Sequence, residues 1–78
     1  MEIKVVGSGC RNCKNLLENV KKAVGELGIQ ATVIYVTDIR DIMATGIMQT
    51  PGLIVNGKTR TTGRVPGEKE IKEILQAE

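Results

Sequence analysis

The spacing of hydrophobic residues changes several times along the chain, and each change marks a new element of secondary structure. Residues 3–6 form a short β-branched run that predicts a buried strand. Residues 10–27 place apolar side chains at helical spacing with polar side chains on the opposite face, and Gly28 is a typical helix stop. Residues 31–36 are again rich in β-branched residues and predict a second strand.

A short second helix is expected to follow this strand. Asp38 is a good N-cap, Asp41 three residues later makes an acidic variant of the capping box, and Gly46 ends the helical pattern. We expect its inward face to be supplied by Ile39, Ile42 and Met43.

The last third of the chain predicts a hairpin and a final helix. Residues 53–55 are apolar and predict a third strand, and Asn56-Gly57 is the strongest hairpin signal in the sequence because a type I′ turn needs positive φ at both positions. Residues 58–62 return as a polar strand of the kind found at a sheet edge. Pro66-Gly67 opens the last helix. Its expected buried stripe consists of Ile71, Ile74 and Leu75.

The predicted element order is therefore β-α-β-α-β-β-α. The first βαβ unit should be a right-handed parallel crossover, and the final hairpin adds two antiparallel strands. This order predicts an α/β fold built on a four-stranded mixed sheet. With no repeat, linker or low-complexity segment, residues 1–78 should form a single domain.

Composition and charge exclude several classes of function. The 78 residues are 41% hydrophobic and 26% charged, as in a folded protein, and the single aromatic residue, Tyr35, excludes base-stacking surfaces. Eleven basic against nine acidic residues give a net charge of +2, too balanced to favour nucleic acid. No run is long enough for a signal peptide or a membrane span. We expect a cytoplasmic monomer without nucleic-acid or membrane partners.

The two cysteines, Cys10 and Cys13, are better suited to chemistry than to stabilising the fold. A bond between them closes a loop of four residues. On the chain-entropy model such a loop contributes only roughly 2 kcal/mol, against about 4.7 kcal/mol for a 100-residue loop. In a reducing compartment a cysteine pair is usually catalytic or metal-binding.

The predicted position of the pair supports redox chemistry. A thiolate at the first turn of a helix is stabilised by unpaired N–H groups and by the helix dipole. Arg11 and Lys14 lie beside the pair and should lower the thiol pKa further. Cys10 is at the turn, whereas Cys13 continues the apolar stripe of the helix. We therefore expect Cys10 to attack a substrate disulfide and Cys13 to resolve the mixed disulfide.

Three motifs in this order resemble the small redox-active disulfide proteins, which are thioredoxin-like and glutaredoxin-sized. The motifs are Gly-Ser-Gly-Cys-Arg-Asn-Cys-Lys at positions 7–14, Thr50-Pro51 before the hairpin, and Gly-Arg-Val-Pro at positions 63–66. The resemblance covers essentially the whole chain. It implies a thioredoxin-like three-layer fold with helices on both faces of the sheet, and a thiol–disulfide oxidoreductase whose redox centre is the reversible Cys10–Cys13 disulfide, without a further cofactor.

The resemblance also assigns a role to Thr50 and Pro51. It implies that their peptide bond is cis and packs beside the cysteines, so that the Thr50 backbone offers hydrogen bonds to an extended protein or small-molecule disulfide substrate. The acidic segment with which glutaredoxins hold glutathione is replaced here by residues 63–66, and Arg64 would repel the glutathione ammonium group. We therefore expect a thioredoxin-reductase-like electron donor.

A metal-binding or metallochaperone module that uses the same cysteine pair is the alternative. Heavy-metal-associated domains also place a cysteine pair between a strand and a helix, but they usually carry Met where this chain has Ser8, and they end on a strand rather than a helix. Two cysteines without histidine cannot complete a zinc site within one chain, so we predict no metal ligands. A site shared by two chains, or a non-catalytic interaction domain, remains open at this point.

Overall fold

A computed structural model describes residues 1–78 and contains four strands and three helices. In chain order the elements are β1 (Glu2–Val6), α1 (Arg11–Leu27), β2 (Thr32–Val36), α2 (Ile39–Ala44), β3 (Gly52–Val55), β4 (Lys58–Thr62) and α3 (Glu68–Gln76). This is the predicted β-α-β-α-β-β-α order. None of the helices combines the length and the apolar composition needed to cross a bilayer.

The four strands form one mixed sheet in the order β2-β1-β3-β4. β1 pairs in parallel with β2 and antiparallel with β3, and β3 pairs antiparallel with β4. The polar strand β4 lies at an edge, as its composition predicts, because an edge strand can leave polar side chains and one row of backbone groups in water. β1 therefore runs through the middle of the sheet, and its carboxyl end leads directly into the cysteine motif.

Apolar side chains on the two faces of the sheet form two separate clusters. The larger cluster joins β1 and β3 to α1 and α3, and its buried members are Ile3, Val5, Leu16, Val20, Ala23, Leu53, Val55, Ile71 and Leu75. The smaller cluster lies under α2 and contains Val6, Ile42, Ile47 and Ile54. Helices thus cover both faces, which gives the three layers that the resemblance implied.

Local sequence signals determine where α1 ends, where α2 begins and where the chain turns between β3 and β4. Gly28 has a φ of 65° and closes α1 by donating its N–H to the Val24 carbonyl at 3.1 Å. Asp38 caps α2 by accepting the Arg40 N–H at 2.8 Å. Asn56-Gly57 has φ angles of 50° and 83°, as a type I′ turn requires.

The prediction that Ile39, Ile42 and Met43 form the buried face of α2 is partly wrong. Ile42 is buried, but Ile39 and Met43 are 64% and 71% exposed. The helix has only six residues, fewer than two turns, so it turns a single large side chain toward the sheet. Ile39 and Met43, four residues apart, share a side of α2 that no other element covers. The prediction for α3 agrees better with the structure. Of the three residues expected on its buried face, Ile71 and Leu75 are buried and Ile74 is half-buried.

Candidate active site

The two cysteines lie where β1 passes into α1, and their sulphur atoms are joined in a disulfide with a Cα–Cα distance of 5.1 Å. Their surroundings differ sharply. Cys10 is the exposed N-cap of α1, whereas Cys13, one turn further on, is completely buried. Spacing along the helix explains the difference, since position 13 faces the sheet with the apolar stripe while position 10 ends the loop.

The sulphur of Cys10 replaces the oxygen of an ordinary N-cap side chain. Its Sγ accepts a hydrogen bond from the Cys13 N–H at 3.2 Å, and its carbonyl accepts the Lys14 N–H at 3.0 Å. The first N–H groups of a helix have no partner within the helix and carry the positive end of its dipole. A negative charge on Cys10 Sγ would therefore be stabilised by a donor that is already in position.

A glycine allows the backbone to approach the buried sulphur. A Cβ atom added to Gly7 would lie 2.2 Å from the Sγ of Cys13 and 2.7 Å from its Cβ, so no larger residue fits without displacement. Gly7 also extends the β1–β2 pairing by donating its N–H to the Val36 carbonyl at 2.9 Å. The end of the central strand thus packs directly against Cys13.

Thr50 and Pro51 lie at the same end of the sheet. The antiparallel register pairs Val6 with Gly52, which brings Pro51 alongside the residue that follows β1. The Thr50–Pro51 peptide bond is cis, Pro51 is buried and Thr50 is exposed. Thr50 also lines a groove together with Ser8, which lies two residues before Cys10. The structure therefore brings together the two segments that the resemblance linked.

Arg11 and Lys14 occupy exposed positions in the first turn of α1. Neither side chain belongs to any of the ion pairs in the structure. Their positive charges are therefore not neutralised by a nearby carboxylate, and they add to the positive end of the helix dipole.

Arg64 has a different role from the one that its sequence position suggested. Its guanidinium group donates two hydrogen bonds to the Glu70 carboxylate, which lowers the pKa of Glu70 and raises that of Arg64. The Glu70 carboxylate compensates the Arg64 charge. Repulsion by Arg64 therefore gives no reason to expect weak binding of glutathione, whereas the absence of the acidic segment still does.

Sequence reasoning missed two features of this region. One is the contact between Gly7 and Cys13, whose only signal is a glycine at the end of an otherwise β-branched strand. The other is the exposed apolar surface formed by Ile39, Met43 and Met48, which the helical pattern of α2 assigned in part to the core. The structure contains no group of three or more His, Cys, Asp or Glu side chains placed to bind a metal ion.

The architecture and the site together define a class of protein. A mixed sheet with helices on both faces carries, at the start of a helix, a disulfide with one exposed and one buried sulphur, and this is the arrangement of a thioredoxin-like thiol–disulfide oxidoreductase. The family model of the thioredoxin domain matches residues 1–76, and the chain belongs to this family.

Two relatives support this assignment, and both are named thioredoxin. The protein from Methanothermobacter thermautotrophicus is 41% identical over 75 residues, which cover 96% of this chain and 97% of the relative. The protein from Methanocaldococcus jannaschii is 43% identical over 75 residues, which cover 96% of this chain and 86% of the relative. The protein is a thiol–disulfide oxidoreductase.

Proposed function

We propose that the protein reduces disulfides of other proteins, with Cys10 as the nucleophile and Cys13 as the resolving thiol. The observation that carries this assignment is the unequal environment of the two sulphurs. Cys10 Sγ is accessible to a substrate and accepts the Cys13 N–H at 3.2 Å, whereas Cys13 is fully buried. Of the two sulphurs, only Cys10 Sγ can therefore reach and attack an external disulfide.

The reaction balances as two thiol–disulfide exchanges. The Cys10 thiolate attacks one sulphur of the substrate disulfide, forming a mixed disulfide and releasing the first substrate thiolate, which takes up a proton. The Cys13 thiol then gives up its proton, and the resulting thiolate attacks Cys10 Sγ, closing the internal disulfide and releasing the second substrate thiolate, which takes up a proton. Two electrons and two protons pass from the protein to the substrate.

The neighbouring residues support these steps in two ways. The unpaired charges of Arg11 and Lys14 favour the thiolate over the thiol at the start of α1. Thr50 and Pro51 provide the substrate-binding edge, because Thr50 is exposed and lines the same groove as the loop before Cys10. An extended substrate strand can hydrogen-bond to the Thr50 backbone while its disulfide approaches Cys10.

Alkylation of the reduced protein tests the assignment. With iodoacetamide at several pH values, Cys10 should react first, and its rate should report a pKa below the unperturbed thiol value of about 8.5. Peptide mapping identifies the modified cysteine. Faster modification of Cys13 in the native protein would show that the roles are reversed.

Two serine variants distinguish the steps. Cys10→Ser should abolish reduction of a protein disulfide, since no accessible thiolate remains. Cys13→Ser should instead accumulate a mixed disulfide through Cys10, visible as a band of higher mass on a non-reducing gel. The second variant is the matched control, because it removes one thiol and keeps the nucleophile. Accumulation of the mixed disulfide in Cys10→Ser would contradict the proposal.

For the electron donor we propose a dithiol reductase of the thioredoxin-reductase kind, which fits a protein working in the reducing cytoplasm. The paired cysteines resolve a mixed disulfide without a second external thiol. Reduction of the Cys10–Cys13 bridge by NADPH with a thioredoxin reductase is compared with reduction by glutathione and its reductase. Because the chain has no Trp, a thiol-trapping gel shift replaces fluorescence. Efficient turnover with glutathione alone would exclude this donor.

A further inference from the structure

The loop between β4 and α3, residues 63–66, lies against the substrate-binding edge and carries a charged residue that takes no part in the exchange reaction. Its first residue, Gly63, donates its N–H to the Pro51 carbonyl at 2.9 Å. Gly63 also lies close to the Gln49 side chain, since a Cβ atom added to it would be 2.6 Å from Gln49 Oε1. Gly63 therefore contacts the residues on both sides of Thr50.

The other end of this loop is fixed to the helix that carries the cysteines. Asn19 of α1 donates a side-chain N–H to the Pro66 carbonyl at 3.1 Å. Arg64 lies between the two attachments, is exposed, and is the one charged residue of the loop. Because both ends of the loop are held, Arg64 stays at the rim of the site, beside the edge formed by Thr50 and Pro51.

The guanidinium group of Arg64 is already occupied by a carboxylate of the protein itself. Both terminal nitrogens donate to Glu70, Nη1 to Oε1 at 2.9 Å and Nη2 to Oε2. A carboxylate on a substrate would bind the same N–H groups in the same bidentate geometry, so it must compete with Glu70. Arg64 also lowers the pKa of Glu70, so the Glu70 carboxylate stays ionised near neutral pH and keeps this position.

The pair controls the charge of Arg64 without holding the loop in place. The Arg64 and Glu70 side chains are 54% and 42% exposed, and ion pairs at such exposure contribute little to stability. No other carboxylate forms an ion pair with Arg64. Removal of the Glu70 charge would therefore free the guanidinium group, while the hydrogen bonds at Gly63 and Pro66 continue to fix the loop.

We propose that Glu70 is a specificity-determining residue that slows the reduction of small disulfides carrying carboxylates. By occupying Arg64, it withholds a cation that would otherwise bind such a carboxylate while Cys10 attacks the disulfide. The inference rests on the proposed function and adds the basis of a preference among disulfides. The exchange itself is unchanged, since two electrons and two protons still pass from the cysteine pair to the small disulfide, which becomes two thiols.

Glu70→Gln tests the proposal, because glutamine has the shape of glutamate without its charge. Pre-reduced protein is mixed at pH 7 with excess dithiodipropionate, whose ends are carboxylates, or with bis(2-hydroxyethyl) disulfide, whose ends are hydroxyls, and the remaining thiols are trapped over time. The ratio of the second-order rate constants, anionic over neutral, cancels any change in the Cys10 thiolate. It should rise about two- to fivefold, the range of an exposed Arg–carboxylate contact.

Two variants separate the release of Arg64 from other effects of the substitution. Glu73→Gln removes the same charge from the same helix, but Glu73 belongs to no ion pair, so the ratio should stay within about 1.5-fold of the wild-type value. Arg64→Gln/Glu70→Gln removes both partners and restores the net charge of the wild type. It should lose the gain seen in Glu70→Gln, because no guanidinium group remains to bind the substrate carboxylate.

Salt gives a second measurement on the same proteins. An exposed contact between Arg64 and a substrate carboxylate is screened at high ionic strength, where the Debye length falls to about 3 Å in 1 M salt. The gain of Glu70→Gln over the wild type should therefore disappear in 1 M NaCl. A gain that came from a looser loop would persist.

An unchanged ratio in Glu70→Gln overturns the proposal. An equal gain in Glu73→Gln overturns it as well, since it would reflect net charge alone, and so does a gain that survives the loss of Arg64 or the addition of salt. Failure of the proposed function gives a different result, because the wild-type protein would then reduce neither disulfide.

Discussion

Replacing Gly7 by alanine tests the contact between the end of β1 and the buried cysteine. The new Cβ would lie 2.2 Å from Cys13 Sγ and 2.7 Å from Cys13 Cβ. Unstrained carbon contacts are about 3.5–4.0 Å, so the two elements must separate by roughly 1 Å. Rotation of the Cys13 side chain can move Sγ in the reduced protein, but it cannot move Cβ. Part of the clash therefore persists in both redox states.

Overpacking of this kind typically costs about 1–3 kcal/mol. Since 1 kcal/mol shifts the Tm of a domain of this size by roughly 4–8 °C, Gly7→Ala should melt roughly 4–24 °C below the wild type. The decrease should be larger for the disulfide form, because there Sγ is also held in place. The assay is thermal unfolding followed by circular dichroism, with and without a reductant.

Gly25→Ala is the matched control. Gly25 lies within α1 and has open space around the position of a Cβ, so alanine there should raise stability by about 0.4–1 kcal/mol through the lower entropy of the unfolded chain. The two glycine-to-alanine changes should thus have opposite signs. A Gly7→Ala protein with the Tm of the wild type in both redox states would refute the close approach of Gly7 to Cys13.

Two further predictions concern the hairpin and the contact between α1 and α3. Asn56→Ala should lower the free energy of unfolding in urea by about 1–2 kcal/mol, because alanine disfavours the φ of 50° and cannot accept the hydrogen bond that the Glu2 N–H donates at 2.9 Å. Asn56→Asp keeps an acceptor, so its free energy of unfolding should fall by less. The hydrogen bond from Lys72 lowers the pKa of Glu26 below its usual value of 4.5, so this pair stabilises the fold above that pH and the contribution is lost as pH falls through the lowered pKa. The Tm difference between wild type and Glu26→Gln should therefore shrink on acidification, and a constant difference would contradict the pairing.

Local signals predicted the order of elements and the position of the cysteine pair. The turn at Asn56-Gly57 and the stop at Gly28 follow from the backbone preferences of the residues themselves. The unequal exposure of Cys10 and Cys13 also follows locally, because a three-residue step from an N-cap reaches the face of the helix that carries the apolar stripe. Such features depend on neighbours in the chain and can be inferred without the fold.

Features that depend on distant elements were not predictable in the same way. Helical spacing groups Ile39 and Met43 with Ile42, but only the extent of the sheet determines which of them is covered. Likewise, the ion pair of Arg64 with Glu70 joins a loop to the following helix, and the sequence alone offers several other partners for either charge. In each case the missing information is the arrangement of elements, not the properties of the residue.

The central position of β1 has a consequence for the order of events during synthesis. Cys10 and Cys13 follow β1 near the amino end, whereas β3, the antiparallel partner of β1, ends at Val55. The sheet cannot close around β1 until that later segment has left the ribosome, and contacts between such distant segments are slow to form. In the nascent chain both thiols are therefore equally open to oxidants and to other thiols. The spacing of the motif determines which cysteine becomes protected, but the protection itself begins only when the sheet has closed around β1.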